Sequence, residues 1–325
     1  MRLAIVGCGA LGSLFAAVLH SRTDLVMLGH WPEQLARLCS SGLTMIHPDG
    51  SRSIHNFTVT ENPSQIRAVD LALVLVKAYQ TNRAAFEINQ LLTEDGLAIT
   101  LQNGLGNVDV LGRILGPDRV TQGITALGAT MHKPGEVRFA GHGPTHLAQL
   151  GEKPRLVREL AGLMNNSGYE THLSGDLDGL TWGKLAISSG INPLTALLQV
   201  TNGFLASDSQ ARELMFAAAE ETAAVARALG IDLPYPDASQ RVFEVSQATA
   251  ENRSSMLQDV MRGTQTEVDA ICGAVVRYGH LTGQSTPLNE EYLRLIQSVN
   301  TTKPGEPLVS IVGSLQELIS THAQS

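Results

Sequence analysis

Residues 2–12 read RLAIVGCGALG, and the apolar SLFAAVLH of residues 13–20 follows without a break. The first five residues have the character of a short buried strand, the last eight that of a helix, and Gly7-Cys8-Gly9-Ala10-Leu11-Gly12 forms a GxGxxG turn between them. Gly7 permits a tight turn, Gly9 leaves room for a pyrophosphate, and Gly12 lets helix and strand pack closely. The unpaired N–H groups at the helix start, with the positive end of its dipole, would then face the phosphates. A glycine-rich turn of purely structural use is the plainer explanation. The strand directly before the motif and the helix directly after it favour a dinucleotide site with Gly7, Cys8, Gly9, Ala10, Leu11 and Gly12 as its phosphate loop.

The sequence continues at the spacing of a doubly wound α/β fold. A second strand, Leu25 to Leu28, ends at Gly29-His30-Trp31-Pro32. An NAD site commonly places Asp or Glu at this point to bind the ribose hydroxyls, and an NADP site places a cation for the 2′-phosphate. No carboxylate stands there. His30 could supply a donor or partial positive charge, with Arg37 or Arg52 assisting, or it could be a plain loop residue. Two nearly continuous apolar runs, Asp70 to Lys77 and Gly96 to Asn103, read as strands covered on both faces. Ligands in open α/β sheets bind beyond the C-terminal strand ends, so Lys77 and Asn103 are candidate contacts. An exposed strand-end charge and a turn former before Gly104 are their plainer readings. Val120 to Leu150 holds short strand patterns with glycine turns, expected to extend the sheet. His142 and His146 within it flank Gly143-Pro144, which is no regular metal spacing.

Composition narrows the function. The 325 residues are 43% hydrophobic and 17% charged, and the formal net charge of −8 argues against a nucleic-acid surface and for a small-molecule partner. Cys8, Cys39 and Cys272 are an odd number without CxxC spacing, which fits a reducing cytoplasm better than a disulfide framework or zinc site. Leu3 to Leu19 superficially resembles the core of a signal peptide, but its glycines fit the phosphate loop. No other run has the roughly 20 apolar residues of a membrane span, so no membrane partner is expected.

From about Asp176 the pattern turns to long helical segments, which divides the chain into a nucleotide-binding domain, residues 1–172, and a helical domain, residues 173–325. Residues 182–198 read WGKLAISSGINPLTALL. If the first ten are helical, Lys184, Ser188 and Asn192 share one face of an otherwise apolar element. Pro193 is expected to end the helix there. A solvent-facing stripe and a ligand-facing one look alike at this level. The second polar concentration is AENRSSMLQDVMRGTQTEVDAICG, residues 250–273, in which Gly263 offers a helix break between Ser255 and Glu267. Thr264-Gln-Thr-Glu267 has the form of a capping box, so Glu267 could simply satisfy the Thr264 N–H of a new helix.

Taken together, GCGALG, VKAYQ around Lys77, LQNGLGN around Asn103, WGKLAISSGINPLTAL and ATAENRSSMLQDVMRGTQTEVDAICG resemble the ketopantoate reductase (2-dehydropantoate 2-reductase) family, in order and across nearly the whole chain. The resemblance implies a Rossmann domain joined to an all-α domain similar to the C-terminal domain of 6-phosphogluconate dehydrogenase. It implies NADPH-dependent reduction of 2-dehydropantoate to (R)-pantoate in pantothenate and coenzyme A biosynthesis. Carried over by position, it makes Lys184 the catalytic lysine and puts Asn103, Ser188, Asn192, Asn202, Ser255 and Glu267 at the substrate. Lys77, Asn103 and Glu267 also face the cofactor. Two departures stand out: Ser188 where the family often has asparagine, and His30 where it often has arginine. The cofactor is thus NADP(H), with NAD(H) still open. The alternatives are a related NAD(P)-dependent 2-keto acid or opine-type dehydrogenase and a non-catalytic NADP(H)-sensing protein. Oligomeric state stays open, a homodimer among the options.

Overall fold

The computed structural model describes residues 1–149 and 154–299. Leu150, at the end of the expected strand region, and residues 300–325 of the expected second domain lie outside the described residues. The chain forms two compact units, one of residues 1–102 and 106–177, the other of residues 103–105 and those from Asp178 onward.

In the first unit, β1 (Arg2–Val6), α1 (Ala10–Leu19), β2 (Asp24–Leu28) and α2 (Pro32–Ser41) are followed by three short strands, β3 (Leu43–Ile46), β4 (Arg52–His55) and β5 (Thr58–Thr60). Then come β6 (Val69–Val74), α3 (Thr81–Leu91), β7 (Leu92–Thr100), α4 (Asn107–Leu115), β8 (Val120–Thr125), β9 (Gly128–Lys133), β10 (Glu136–Gly141), β11 (Thr145–Ala148), α5 (Pro154–Asn166) and β12 (Thr171–Ser174). The main sheet has the order β12-β11-β8-β7-β6-β1-β2-β5. Its pairs are parallel except β8 with β11. Leu3, Ala4, Ile5, Leu71, Ala72 and Leu73 are all 0% exposed, which is why β1 and β6 are apolar without alternation. β6 and β7 end at Val74 and Thr100, so Lys77 and Asn103 belong to the loops beyond the strands rather than to the strands themselves.

The expectation that residues 120–150 all extend this sheet is corrected. β8 and β11 do, but β9 and β10 join β3 and β4 in a separate sheet of order β4-β3-β10-β9. The reason lies in the side-chain pattern. β10 buries Val137 and Phe139 and exposes Arg138 and Ala140, an alternation suited to a sheet covered on one face.

The second unit is helical: α6 (Asp178–Leu198), α7 (Asn202–Ser207), α8 (Ser209–Ala228), α9 (Ala238–Ala248), α10 (Ser255–Met261), α11 (Cys272–Thr282) and α12 (Pro287–Val299). Its core joins Leu194 and Leu197 of α6 to Leu214, Met215, Ala218 and Ala219 of α8. The small residues allow close approach: a Cβ on Gly190 would lie 2.8 Å from the Met215 carbonyl oxygen. The expected stop at Pro193 does not occur, and α6 runs through it to Leu198. An interior proline forfeits one backbone hydrogen bond and costs about 3 kcal/mol. Burial of Pro193, Leu194, Ala196 and Leu197 offsets that cost, at roughly 1.5–3 kcal/mol for a large apolar side chain. Among the described residues, no helix is long and apolar enough to cross a membrane.

Candidate active site

The glycine-rich loop of residues 7–12 has the backbone its glycines foretell. Gly7 has φ +122°, and a Cβ there would lie 2.7 Å from the Leu75 carbonyl carbon. A Cβ on Gly12 would collide with the Gly7 carbonyl oxygen, whereas one on Gly9 would meet nothing within 4 Å. That open side of Gly9, at the N-terminus of α1 where no side chain caps the helix, fits a pyrophosphate. Ala10 and Leu11 pack partly buried against the core of the first unit. The Cys8 side chain turns away to fill the space a Gly29 side chain would need. Burial raises the Cys8 thiol pKa, so at this position the backbone rather than a thiolate would serve a ligand.

His30, directly beyond β2, has its Nε2 2.8 Å from Oε1 of Glu87 on α3, and Nε of Arg83 is 3.7 Å from the same oxygen. The carboxylate missing from the sequence at the strand end is therefore delivered from another element. Neither arginine expected to assist is placed for it. Arg52 pairs with Glu136 at 3.2 Å, and Arg37 lies against Gly135, both at the second sheet.

Beyond β6, the Lys77 N–H donates to Oε1 of Gln80 at 3.3 Å. Gln102 donates to the Val76 carbonyl at 2.9 Å and to the Thr81 hydroxyl at 2.8 Å. Thr81 in turn reaches Oδ1 of Asn107 at 3.0 Å. Gln102, Thr81 and Asn107 thus fix the loops that hold Lys77 and the start of α4. None of the three is given a role by sequence alone, although Gln102 and Asn107 bound the polar run LQNGLGN and Thr81 follows VKAYQ.

In the second unit, Lys184, Ser188 and Asn192 are half-buried along one face of α6, and Trp182, Leu185, Ala186 and Gly190 on its other faces are buried. Continuation of the helix through Pro193 is what keeps Asn192 in this row. The Tyr235 hydroxyl donates to the Gly183 carbonyl at 2.6 Å, anchoring α6 beside Lys184. Burial pulls the Lys184 ammonium down to about 8, while the Glu267 carboxylate acts in the opposite direction.

Glu267 is 7% exposed and does not cap a helix. The break at Gly263, with φ +63°, is present, but the next helix begins only at Cys272. The Thr264 N–H donates to the Asp259 carbonyl at 3.0 Å, and residues 267–271 form a compact turn in which the Ala270 and Ile271 N–H groups donate to the Glu267 carbonyl. Buried Val268 and Ile271 hold this turn in the core, which overrides the local capping pattern. The Glu267 carboxylate favours the charged form of Lys184.

Asn103 lies next to this turn. Leu105 N–H donates to the Ala270 carbonyl at 2.9 Å, and Gly104, with φ +78°, presses so closely on Ala270 that a Cβ would strike its carbonyl oxygen. Ser255 is half-buried at the first position of α10. Its neighbour Ser254 caps that helix by accepting the Leu257 N–H at 3.1 Å, and it also accepts the Thr195 hydroxyl at 2.7 Å. This ties α10 to α6 one turn beyond Asn192. Asn202 is buried and spends its amide on Thr249 at 2.9 Å and its N–H on the Asn252 carbonyl at 3.0 Å. It ties down the chain leading into Ser255.

The family Ketopantoate reductase PanE/ApbA matches residues 3–152, and Ketopantoate reductase PanE/ApbA C terminal matches residues 176–300. The chain belongs to the ketopantoate reductase family. A 2-dehydropantoate 2-reductase of Halobacterium salinarum is 36% identical over 278 residues, covering 85% of this chain and 91% of that protein. Among solved ketopantoate reductase structures, 2-dehydropantoate 2-reductase from Geobacter metallireducens GS-15 is 29% identical with TM-score 0.84, covering 92% of this chain and 99% of the other. D-mandelate dehydrogenase, solved with NADH and anilino(oxo)acetate, is 26% identical, also with TM-score 0.84, covering 93% and 99%. The α/β sheet followed by an all-α unit is thus the ketopantoate reductase fold, an oxidoreductase fold.

Proposed function

We propose that this ketopantoate reductase family member reduces 2-dehydropantoate to (R)-pantoate with NADPH in the cytoplasm, Lys184 being the acid. The observation that carries the reading is half-buried Lys184 in one row with Ser188 and Asn192 on α6, its charge favoured by buried Glu267. In this reading residues 1–172 hold the dinucleotide, and residues 173–325 carry the catalytic lysine and the substrate residues other than Asn103. Gly7 to Gly12 would cradle the pyrophosphate, with His30 and Lys77 further along the cofactor. When bound, the reduced nicotinamide supplies a hydride for the 2-keto carbon.

The protein's part is proton delivery and placement. Charge develops on the keto oxygen as its carbon is reduced, and an ammonium donating to that oxygen stabilises the charge and supplies the proton. A lysine lowered to about 8 is still mostly protonated at neutral pH yet gives up its proton more readily than a solvated one. Asn103, Asn192 and Ser255 would hold the carboxylate and hydroxyl of the substrate, Asn202 steadying the chain before Ser255. Glu267 would keep Lys184 charged and accept a hydrogen bond from the ligand.

Glu267→Gln should move the alkaline limb of kcat/KM below its position in the parent protein. The carboxylate raises the Lys184 pKa, so its loss lowers that pKa and protonated lysine runs out at lower pH. An unmoved limb with a lowered melting temperature would make Glu267 a structural residue only.

The function is tested by following reduced-nicotinamide absorbance with 2-dehydropantoate, in parallel with NADPH and NADH. Turnover with 2-dehydropantoate is expected. Activity confined to the keto acid of mandelate or another 2-keto acid would favour the dehydrogenase alternative, which Ser188 and the D-mandelate dehydrogenase likeness motivate. Cofactor binding without turnover of any 2-keto acid would favour the sensing alternative.

A further inference from the structure

The end of β2 lies beside the phosphate loop: β1 and β2 are paired in register, Val6 with Leu28, and the Gly7 N–H donates to the Leu28 carbonyl at 2.8 Å. In a fold of this kind the side chain just beyond that strand faces the adenosine ribose. Here it is His30, and its Nε2 is engaged by Oε1 of Glu87 at 2.8 Å. Glu87 is only 14% exposed on its side chain, so the pair is screened less than a surface ion pair. Arg83, one turn earlier on α3 and half-exposed, is 3.7 Å from the same oxygen and close enough to Cys8 for its charge to favour the thiolate. It therefore belongs to the same corner of the fold.

A 2′-phosphate is bound by cations and by N–H donors. Glu87 undermines both. If His30 is charged, the adjacent carboxylate cancels that charge, and Arg83 shares the same counter-ion. If His30 is neutral, donation from Nε2 leaves Nδ1 as an acceptor, which suits a ribose hydroxyl and cannot donate to a phosphate. We infer that Glu87 is a specificity-determining residue that, by occupying His30 and Arg83, makes the chain accept the unphosphorylated and the 2′-phosphorylated adenosine ribose with similar affinity. The inference rests on the nicotinamide reading proposed above, and it turns a cofactor choice usually read from the strand end into one made by α3.

The test is calorimetric titration of the full-length protein with adenosine 5′-monophosphate and adenosine 2′,5′-bisphosphate, with melting temperatures as a check on folding. The parent protein is expected to bind the two within a few-fold of each other. Glu87→Gln should raise the bisphosphate-to-monophosphate affinity ratio about tenfold, and adding Arg83→Gln to it should remove most of that gain. A rise below threefold overturns the inference, because loss of a merely structural contact would weaken both nucleotides alike. Arg83→Gln alone, at an exposed helix position, serves should Glu87→Gln fail to fold. The ratio should then change less than threefold, and a larger fall would show Arg83 already committed to the phosphate and overturn the role of Glu87. Binding of neither nucleotide by the parent protein would overturn the nicotinamide reading itself, and this inference with it.

Discussion

Lys184→Ala should lower kcat by about three orders of magnitude, the scale of a lost general acid together with lost charge stabilisation, and leave dinucleotide affinity within a few-fold of the parent. Lys184 is half-buried on α6 with its pKa brought down to about 8. Two consequences follow from that placement. The first is the loss itself, since the stripe carries Ser188 and Asn192 as its other polar members and neither is a proton donor of suitable pKa. The second is a pH profile. In the proposed mechanism reduction needs the ammonium, so kcat/KM in the parent protein should fall as pH rises through about 8, whereas an unburied lysine would hold its rate to nearer 10. Steady-state rates across pH 6–10 measure both. Near-parent turnover in Lys184→Ala would sink the assignment of the acid.

Gly104→Ala should be a strongly damaging single-methyl change. Gly104 has φ +78°, where an L side chain costs about 1–2 kcal/mol, and the added carbon would strike the Ala270 carbonyl. The segment 103–105 would have to lift from the turn 267–271, taking Asn103 with it and stretching the Leu105 to Ala270 hydrogen bond. The expected result is a loss of about 2–4 kcal/mol in stability and roughly a tenfold fall in kcat/KM. Thermal melts and kinetics read the two separately. A variant unchanged in both would show that this close approach has no role in holding Asn103.

The two departures from the family pattern have unequal consequences. Ser188 occupies a middle position on the Lys184 stripe, and its shorter side chain leaves more room there than asparagine would. His30 does not act alone, because Glu87 holds it. No carboxylate follows β2 directly in the chain; Glu87 brings that group from α3.

What the sequence determined by itself is the local part of the molecule. Gly7 and Gly12 dictate a turn only glycine can make, and the unbroken apolar character of β1 and β6 dictates strands covered on both faces. Helical periodicity was enough to align Lys184 with Ser188. These features depend on neighbours a few residues away, and short-range sterics govern them. Tertiary structure alone decided the rest. Burial of Leu194 and Leu197 carries α6 through Pro193 and keeps Asn192 in the row. Pairing with β3 takes β9 and β10 out of the main sheet. Packing of Val268 and Ile271 replaces a capping box with a turn, and the Glu267 carboxylate favours the charged form of Lys184. In each case a local preference worth a few kcal/mol is outweighed by contacts between residues distant in sequence, and those contacts exist only once the chain has folded.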